Sequence, residues 1–227
     1  MRFIADLHIH SKYSRAVSKD MTLERLDAWA DDKGIRVMGT GDFTHPAWFR
    51  EITEKLEPAE PGLFTLKEAH QGKTLKGTKA STRFMLTVEI SSIYSRGGKT
   101  RRVHNLVFAP DLETAKKINT HLSWIGNITS DGRPILGLDS EELLKIVLDA
   151  NPEAAVVPAH IYTPWFSVFG SMSGFDALEE CFGQYTKYIF AGESGLSSDP
   201  GMSWRNSKLD HIAIISNSDS HSLERIG

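Results

Sequence analysis

Short runs of aliphatic, β-branched and aromatic residues recur along the chain and alternate with stretches in which apolar positions return every three or four residues. Seven runs stand out, near 3–8 (FIADLH), 35–41 (IRVMGTG), 84–90 (FMLTVEI), 103–109 (VHNLVFA), 154–160 (AAVVPAH), 188–193 (YIFAGE) and 212–218 (IAIISNS). This alternation predicts an α/β chain built on parallel strands. Most runs are too apolar to keep a wet face, so strands covered on both sides are expected. Between them, Thr22 is placed to cap a helix whose Leu23, Leu26 and Ala30 share one face, and Gly34 to end it in the left-handed conformation. Asp111 caps a second helix carrying Ala115, Ile118 and Leu122. Asp139 with Glu142 forms a capping box before Leu143, Leu144, Val147 and Leu148, and Asn151-Pro152 stops that helix. Asp199 before Pro200 starts another short helix. Residues 57–83 break the rhythm with Pro58, Pro61, Gly62, Gly72 and Gly77, and read as a long loop.

Composition narrows the class. At 227 residues and 40% hydrophobic content the chain can bury one sizeable core, so a single domain over residues 1–227 is expected. The net charge of −3 gives no general attraction for polyanions or membranes. It hides an uneven distribution: residues 65–102 hold nine Lys or Arg against Glu68 and Glu89, a window of +7 that leaves −10 for the rest. Such a window is either a solvated loop or a local footprint for a phosphate backbone. The lone Cys181 excludes internal disulfides and Cys-cluster metal sites. The start MRFIADLHIH carries charges where a signal peptide needs an apolar run, and no apolar stretch has the length of a membrane span, so a cytoplasmic protein is expected.

Nine histidines then change the picture. His8 and His10 follow the first run, His160 ends the fifth and His221 follows the seventh. Asp42 follows the second run, Glu89 closes the third, Glu193 closes the sixth and Asp219 follows the seventh. In a closed parallel barrel the carboxyl ends of all strands meet on one rim, which would gather these groups. His104 opens its run, which predicts either an antiparallel strand there or a run that begins earlier. His8-x-His10 puts two imidazoles on one side of an extended chain. A single buried histidine is more often a core residue, but Asp219-x-His221 repeats the spacing at the other end of the chain and points to ligation. His121 suits a helix C-terminus, whereas His70, His211 and His45 beside Pro46 read as surface residues. Imidazole and carboxylate without thiolate suit Zn, Mn or Fe in a catalytic site, and the number of candidates suits two or three divalent ions bridged by a carboxylate such as Glu89. Paired ions are apt for phosphate-ester hydrolysis. No Ser-His-Asp system, P-loop or dinucleotide fingerprint competes.

The segments ADLHIHSKYS, GTGD, the strand ending in Glu89, VHNLVF, PAH and SNSDSH, in this order, resemble the polymerase and histidinol phosphatase (PHP) superfamily over essentially the whole chain. More narrowly, DLHIHSKYSRAVSK, AHIYTPW, GLSSDP and SNSDSHS resemble endonuclease Q, a repair nuclease that nicks DNA on the 5′ side of deaminated bases and abasic sites. The resemblance implies a distorted (β/α)7 barrel with its metal site at the C-terminal rim. It implies His8, His10, Glu89 and Asp219 around one ion, Glu89, His104 and His160 around a second, and His221 with Asp42 on a third. Ala16 stands where many PHP phosphatases have a histidine, and Asp42-Phe43 where they have Asp-His.

The implied catalytic residues are Glu89 and Asp219, with Glu193 as an orienting group or proton acceptor, and Zn is the first expectation for the ions. The implied partner is DNA with a deaminated base or abasic site. Tyr13, Tyr162, Trp165, Phe166 and Phe169 lie near the expected rim, as aromatic faces for an unstacked base or as a packed lid. Ser197, Ser198 and Asp199 contact phosphate or cap the next helix. Endonuclease Q proteins continue past SDxH into helical and Cys-rich segments, so this chain is expected to be the N-terminal part of a longer one, whose further segments assist DNA binding, or a shortened relative. Two other functions fit the same residues: a small-molecule phosphoesterase of the histidinol-phosphatase type, and a metal-binding, DNA-binding module without activity.

Overall fold

A computed structural model describes residues 2–72, 74 and 82–227. It begins with β1 (Ile4–Asp6), α1 (Leu23–Lys33), β2 (Ile35–Gly39) and α2 (Pro46–Lys55), followed by β3 (Leu56–Pro58) and β4 (Phe64–Leu66). The long strands β5 (Arg83–Arg96) and β6 (Lys99–Ala109) come next, then α3 (Leu112–Ile125), β7 (Ile135–Leu136), α4 (Ser140–Ala150) and β8 (Ala155–Pro158). The chain closes with α5 (Leu178–Phe182), β9 (Ala191–Glu193), α6 (Pro200–Ser203) and β10 (Ala213–Ile215).

Local signals account for most of these boundaries. The Thr22 side chain accepts from the Arg25 amide at the start of α1, and Gly34 ends that helix at φ 78°. Asp111 and Asp199 cap α3 and α6 in the same way, accepting from Thr114 N and Met202 N. Asp139 accepts from the Glu141 amide at the head of α4, and Asn151 closes that helix. Helix α2 has no such signal, because the side chain of its N-cap residue His45 makes no capping bond.

The sheet is mixed and curled into a half barrel. Strands β1, β2 and the start of β5 run parallel, with Ala5 opposite Val37 and Met38 opposite Phe84. Then β6 turns back along β5 from Leu86↔Ala109 to Arg96↔Lys99, and β8 pairs with β6 antiparallel. Strand β7 joins β5 in parallel, while β9 and β10 form a separate parallel pair. That pair is tied back by a bridge between Ile9 and Ser220 and by the Ile161 amide on the Glu193 carbonyl at 2.9 Å. Strand β6 thus departs from the parallel pattern and is antiparallel to its neighbours, one of the two alternatives that His104 at the opening of its run pointed to. Gly97 and Gly98, at φ 61° and 70°, make the two-residue turn that permits the reversal. The segment Ser91–Arg96 is too polar to have been read as strand, yet it carries β5 on beyond Ile90 to a length of 14 residues.

Two further expectations are modified. Within 57–83, β3 and β4 form a short antiparallel hairpin, while Lys73 and residues 75–81 lie outside the described residues. Full coverage of both sheet faces holds for β8, but Ile4 in β1 is 56% exposed. The core is continuous, with Phe43, Trp48, Phe84 and Phe182 fully buried. The Trp48 indole N–H satisfies itself on the carbonyls of Thr40 and Gly41 at 3.1 and 2.9 Å, which fixes the chain just before Asp42.

Candidate metal centre

Close backbone packing builds the first wall of the site. A Cβ on Gly39 would stand 2.5 Å from the Leu7 carbonyl oxygen, and one on Gly41 would collide with the Ile9 carbonyl. The two glycines of GTGD thus let the chain after β2 lie directly against the segment carrying His8 and His10. Three chemistry-bearing residues have left-handed backbones without being glycine: Asp42 at φ 50°, His160 at φ 29° and Asp219 at φ 49°. That conformation is disfavoured by sterics, about 1–3 kcal/mol each, and such outliers gather at functional sites.

The buried side chains converge. His10 Nε2 lies 3.1 Å from Asp219 Oδ1 and 3.4 Å from Glu89 Oε2. His8 Nε2 lies 3.4 Å from Asp219 Oδ1 and 3.6 Å from Glu89 Oε1. On the other side of the same carboxylate, Glu89 Oε1 is 2.6 Å from His104 Nδ1 and 3.1 Å from His160 Nε2, and those two ring nitrogens are 3.2 Å apart. Two groups result, His8–His10–Glu89–Asp219 and Glu89–His104–His160, each with its ligand atoms within 4.8 Å of one another. Glu89 belongs to both.

Partners behind the rings fix their direction. His8 Nδ1 faces the Glu193 carboxylate at 3.0 Å, and His10 Nδ1 faces Asp42 Oδ1 at 3.2 Å, so each Nε2 points to the centre. Glu193 is otherwise occupied by the His160 amide and the Asn217 side-chain amide, both at 2.8 Å. Asp42 Oδ2 accepts from Ser11 N, Ser11 Oγ and Ser14 Oγ at 2.6, 2.7 and 2.8 Å. Glu193 and Asp42 therefore orient histidines. Neither Asp42 nor His221 joins either of these two groups. His221 Nδ1 donates to the Asp219 carbonyl at 2.9 Å, and its ring lies 4.8 Å from that of His10. His45 stacks on Tyr13 with ring centroids 4.5 Å apart, away from the cluster.

Imidazoles and carboxylates are buried together in this pocket and shift one another's ionisation. Burial works against ionisation of His8, yet Glu193 and Glu89 push its pKa up to about 10. His10 rises well above its ordinary value against the same burial, through Asp219, Asp42 and Glu89. Burial opposes ionisation of Glu89 too, but His104 and His8 hold it well below the usual carboxylate range. His8 Nε2 is buried with no hydrogen-bond partner, although it faces two carboxylates. An orphaned imidazole nitrogen on His8, converging carboxylates and carboxylate-backed histidines suit divalent cations.

Some participants carry no motif. Arg133, just before β7, places its guanidinium 3.1 Å from Glu89 Oε2. Ser11 and Ser14 hold Asp42, Asn217 holds Glu193 and accepts from the Leu7 amide, and small polar residues in loops give no warning of that. At the rim, Phe166 lies 4.8 Å from the His104 ring at φ 60°, and Arg102 lies over Trp165 at 5.0 Å. Tyr162 stacks on Phe169, and Tyr13 donates to Glu51 at 2.8 Å. In the basic window, Arg83 pairs with Glu60 and Arg96 with Asp139 and Glu141, so part of its charge is neutralised locally. Lys73, Lys76 and Lys79 lie outside the described residues.

No protein-family model matches the chain. It is 33% identical over its whole length to the uncharacterized protein YqxK of Bacillus subtilis, of which it covers 57%. Among solved structures, the lesion-specific endonuclease PfuEndoQ of Pyrococcus furiosus superposes with a TM-score of 0.82 at 32% identity, over all of this chain and 51% of that one. The chain resembles endonuclease Q, of the PHP superfamily. A second endonuclease Q structure, a complex with a 27-mer duplex bearing an abasic lesion at the active site, matches with a TM-score of 0.81 over 98% of this chain and 50% of that one. The chain thus spans about half the length of the endonuclease Q proteins it matches. No helix of the described residues is long and apolar enough to cross a membrane.

Proposed function

We propose that this chain is the catalytic domain of a metal-dependent endonuclease that cuts a DNA phosphodiester bond on the 5′ side of an abasic site or a deaminated base. The observation that carries this reading is Glu89, shared by two ligand groups at one buried site, on a fold whose relative holds abasic DNA. In this reading His8, His10, Glu89 and Asp219 hold one divalent ion and Glu89, His104 and His160 a second. Zn suits the donor set first, with Mn or Fe as alternatives. Such ions supply Lewis acidity toward the phosphate oxygens and lower the pKa of water.

The protein's own contribution is orientation and exclusion. Asp42 and Glu193 keep His10 and His8 in one tautomer and one direction. Buried walls keep the dielectric low, so charges aimed at the phosphate act strongly. Asp219, the more accessible of the ligand carboxylates at 15% side-chain exposure, is placed to accept the proton lost by the attacking water. Water adds to phosphorus, the bond to the 3′-oxygen breaks, and the products are a 3′-hydroxyl and a 5′-phosphate.

The test uses the longest natural chain containing this domain, loaded with Zn or Mn. Duplexes with one abasic site, uracil or hypoxanthine should be nicked once, 5′ to the lesion, while undamaged duplex and chelated protein show no cleavage. Intact lesion duplexes under both metals, with hydrolysis of small phosphate esters instead, would replace the nuclease by a small-molecule phosphoesterase.

A further inference from the structure

Arg133 is the guanidinium that reaches the cluster directly, 3.1 Å from Glu89 Oε2, while its side chain keeps 31% of its surface exposed toward the open face. Its backbone is held on three sides. The Arg133 amide donates to Asp131 Oδ1 at 3.1 Å, the Gly132 amide to the Tyr13 carbonyl at 3.2 Å, and the Pro134 carbonyl accepts from Ser91 N at 3.0 Å. Gly132 leaves no room for a side chain: a Cβ there would collide with Asp42 Oδ2 and Ser14 Oγ. The backbone of this segment is therefore pinned to the wall that orients His10, and the long Arg133 side chain reaches from it to the cluster.

An arginine at this place has two chemical options. With the cluster free of ions it neutralises Glu89. Once Glu89 bridges cations, the guanidinium is repelled from the cluster, and an anion at the open face becomes its best partner. Planar guanidinium groups suit phosphate oxygens, with two parallel hydrogen bonds. We propose that Arg133 exchanges Glu89 for the substrate phosphate and stabilises the charge that builds on it during hydrolysis. This rests on the phosphodiesterase reading above.

Arg133→Ala and Arg133→Lys, each checked for folding by circular dichroism, separate this role from a structural one. Removing a donor aimed at developing charge should slow single-turnover nicking of the abasic duplex by about 10²–10³-fold, with Lys restoring part of it. Metal stoichiometry should stay at the wild-type value, and metal affinity should be unchanged or tighter because a competitor for Glu89 is gone. Inorganic phosphate titrated calorimetrically into the metal-loaded protein should bind at least tenfold more weakly to Arg133→Ala. Wild-type nicking and phosphate binding in Arg133→Ala would overturn the proposal, and so would loss of the ions. If the wild type does not nick lesion duplexes at all, the nuclease reading fails, and the phosphate titration still decides the role of Arg133.

Discussion

Replacing Glu193 by Gln tests whether orientation behind the ligands matters. The carboxylate meets donors on both oxygens: Oε1 takes the Asn217 amide at 2.8 Å and lies 3.1 Å from His8 Nδ1, while Oε2 takes the His160 backbone amide at 2.8 Å and lies 3.0 Å from the same imidazole nitrogen. A glutamine amide has one oxygen and one NH2, so either flip sets a donor against a donor. One buried polar contact is then lost outright, which costs about 1–3 kcal/mol. For a chain of this size each kcal/mol lowers Tm by about 2–4 °C, so the metal-free variant should melt about 2–12 °C below wild type. The imidazole of His8 also loses its anionic backing, for which loss of an outer partner weakens metal binding about 10–100-fold, or about 1.4–2.8 kcal/mol. Isothermal titration with Zn or Mn gives the affinity and scanning calorimetry the melting point. Wild-type metal affinity in Glu193→Gln, with or without a fall in Tm, would refute the claim that this carboxylate aims His8.

Two further outcomes follow from buried charge. Asp27 on α1 is buried beside Asp31 with one carboxylate oxygen lacking a partner, and burial, then Asp31, raise its pKa to about 6. A carboxyl raised in the native state binds more protons there than in the unfolded chain, so its destabilising effect is absent below about pH 4 and grows as pH rises through about 6. Asp27→Asn should therefore stabilise the protein by about 1–2 kcal/mol at pH 8 and by almost nothing at pH 4, measured by urea unfolding; equal effects at both pH values would contradict it. Ion uptake should also release protons at pH 7, because His8 is charged in the metal-free protein with a pKa of about 10 and must be neutral to ligate. Titrations in two buffers of different ionisation enthalpy give the proton count, and a count of zero would remove the proposed role of His8.

How much of this was legible beforehand depends on whether the signal is local. Caps at Thr22, Asp111 and Asp199 are local chemistry, and each makes the bond expected of it. The hairpin of β5 and β6 was half visible: Val103 to Ala109 is apolar, but Arg96, Lys99, Arg101 and Arg102 carry the paired strands on as charged residues. The heads of the three arginines meet acids or rings, Arg96 with Glu141, Arg101 with Phe175 and Arg102 with Trp165. Hydrophobic period cannot report such a strand. His104 fits both alternatives its position left open: its strand begins earlier, at Lys99, and it stands opposite Ser91 on a strand antiparallel to its neighbours.

The candidate site shows the same division between residue type and residue role. Types were readable, because imidazoles and carboxylates at HxH and DxH spacing have few other uses together. Roles required three-dimensional hydrogen-bond accounting. Asp42 and Asp219 look alike in sequence, each following a strand and each at positive φ, yet three hydroxyl and amide donors at Ser11 and Ser14 saturate one oxygen of Asp42 and leave Asp219 open to His8 and His10. The kind of donor, rather than its number, separates these acids: Asp42 and Glu193 meet neutral hydroxyl and amide donors behind a histidine, whereas Glu89 and Asp219 meet imidazole nitrogens, with the Arg133 guanidinium also on Glu89.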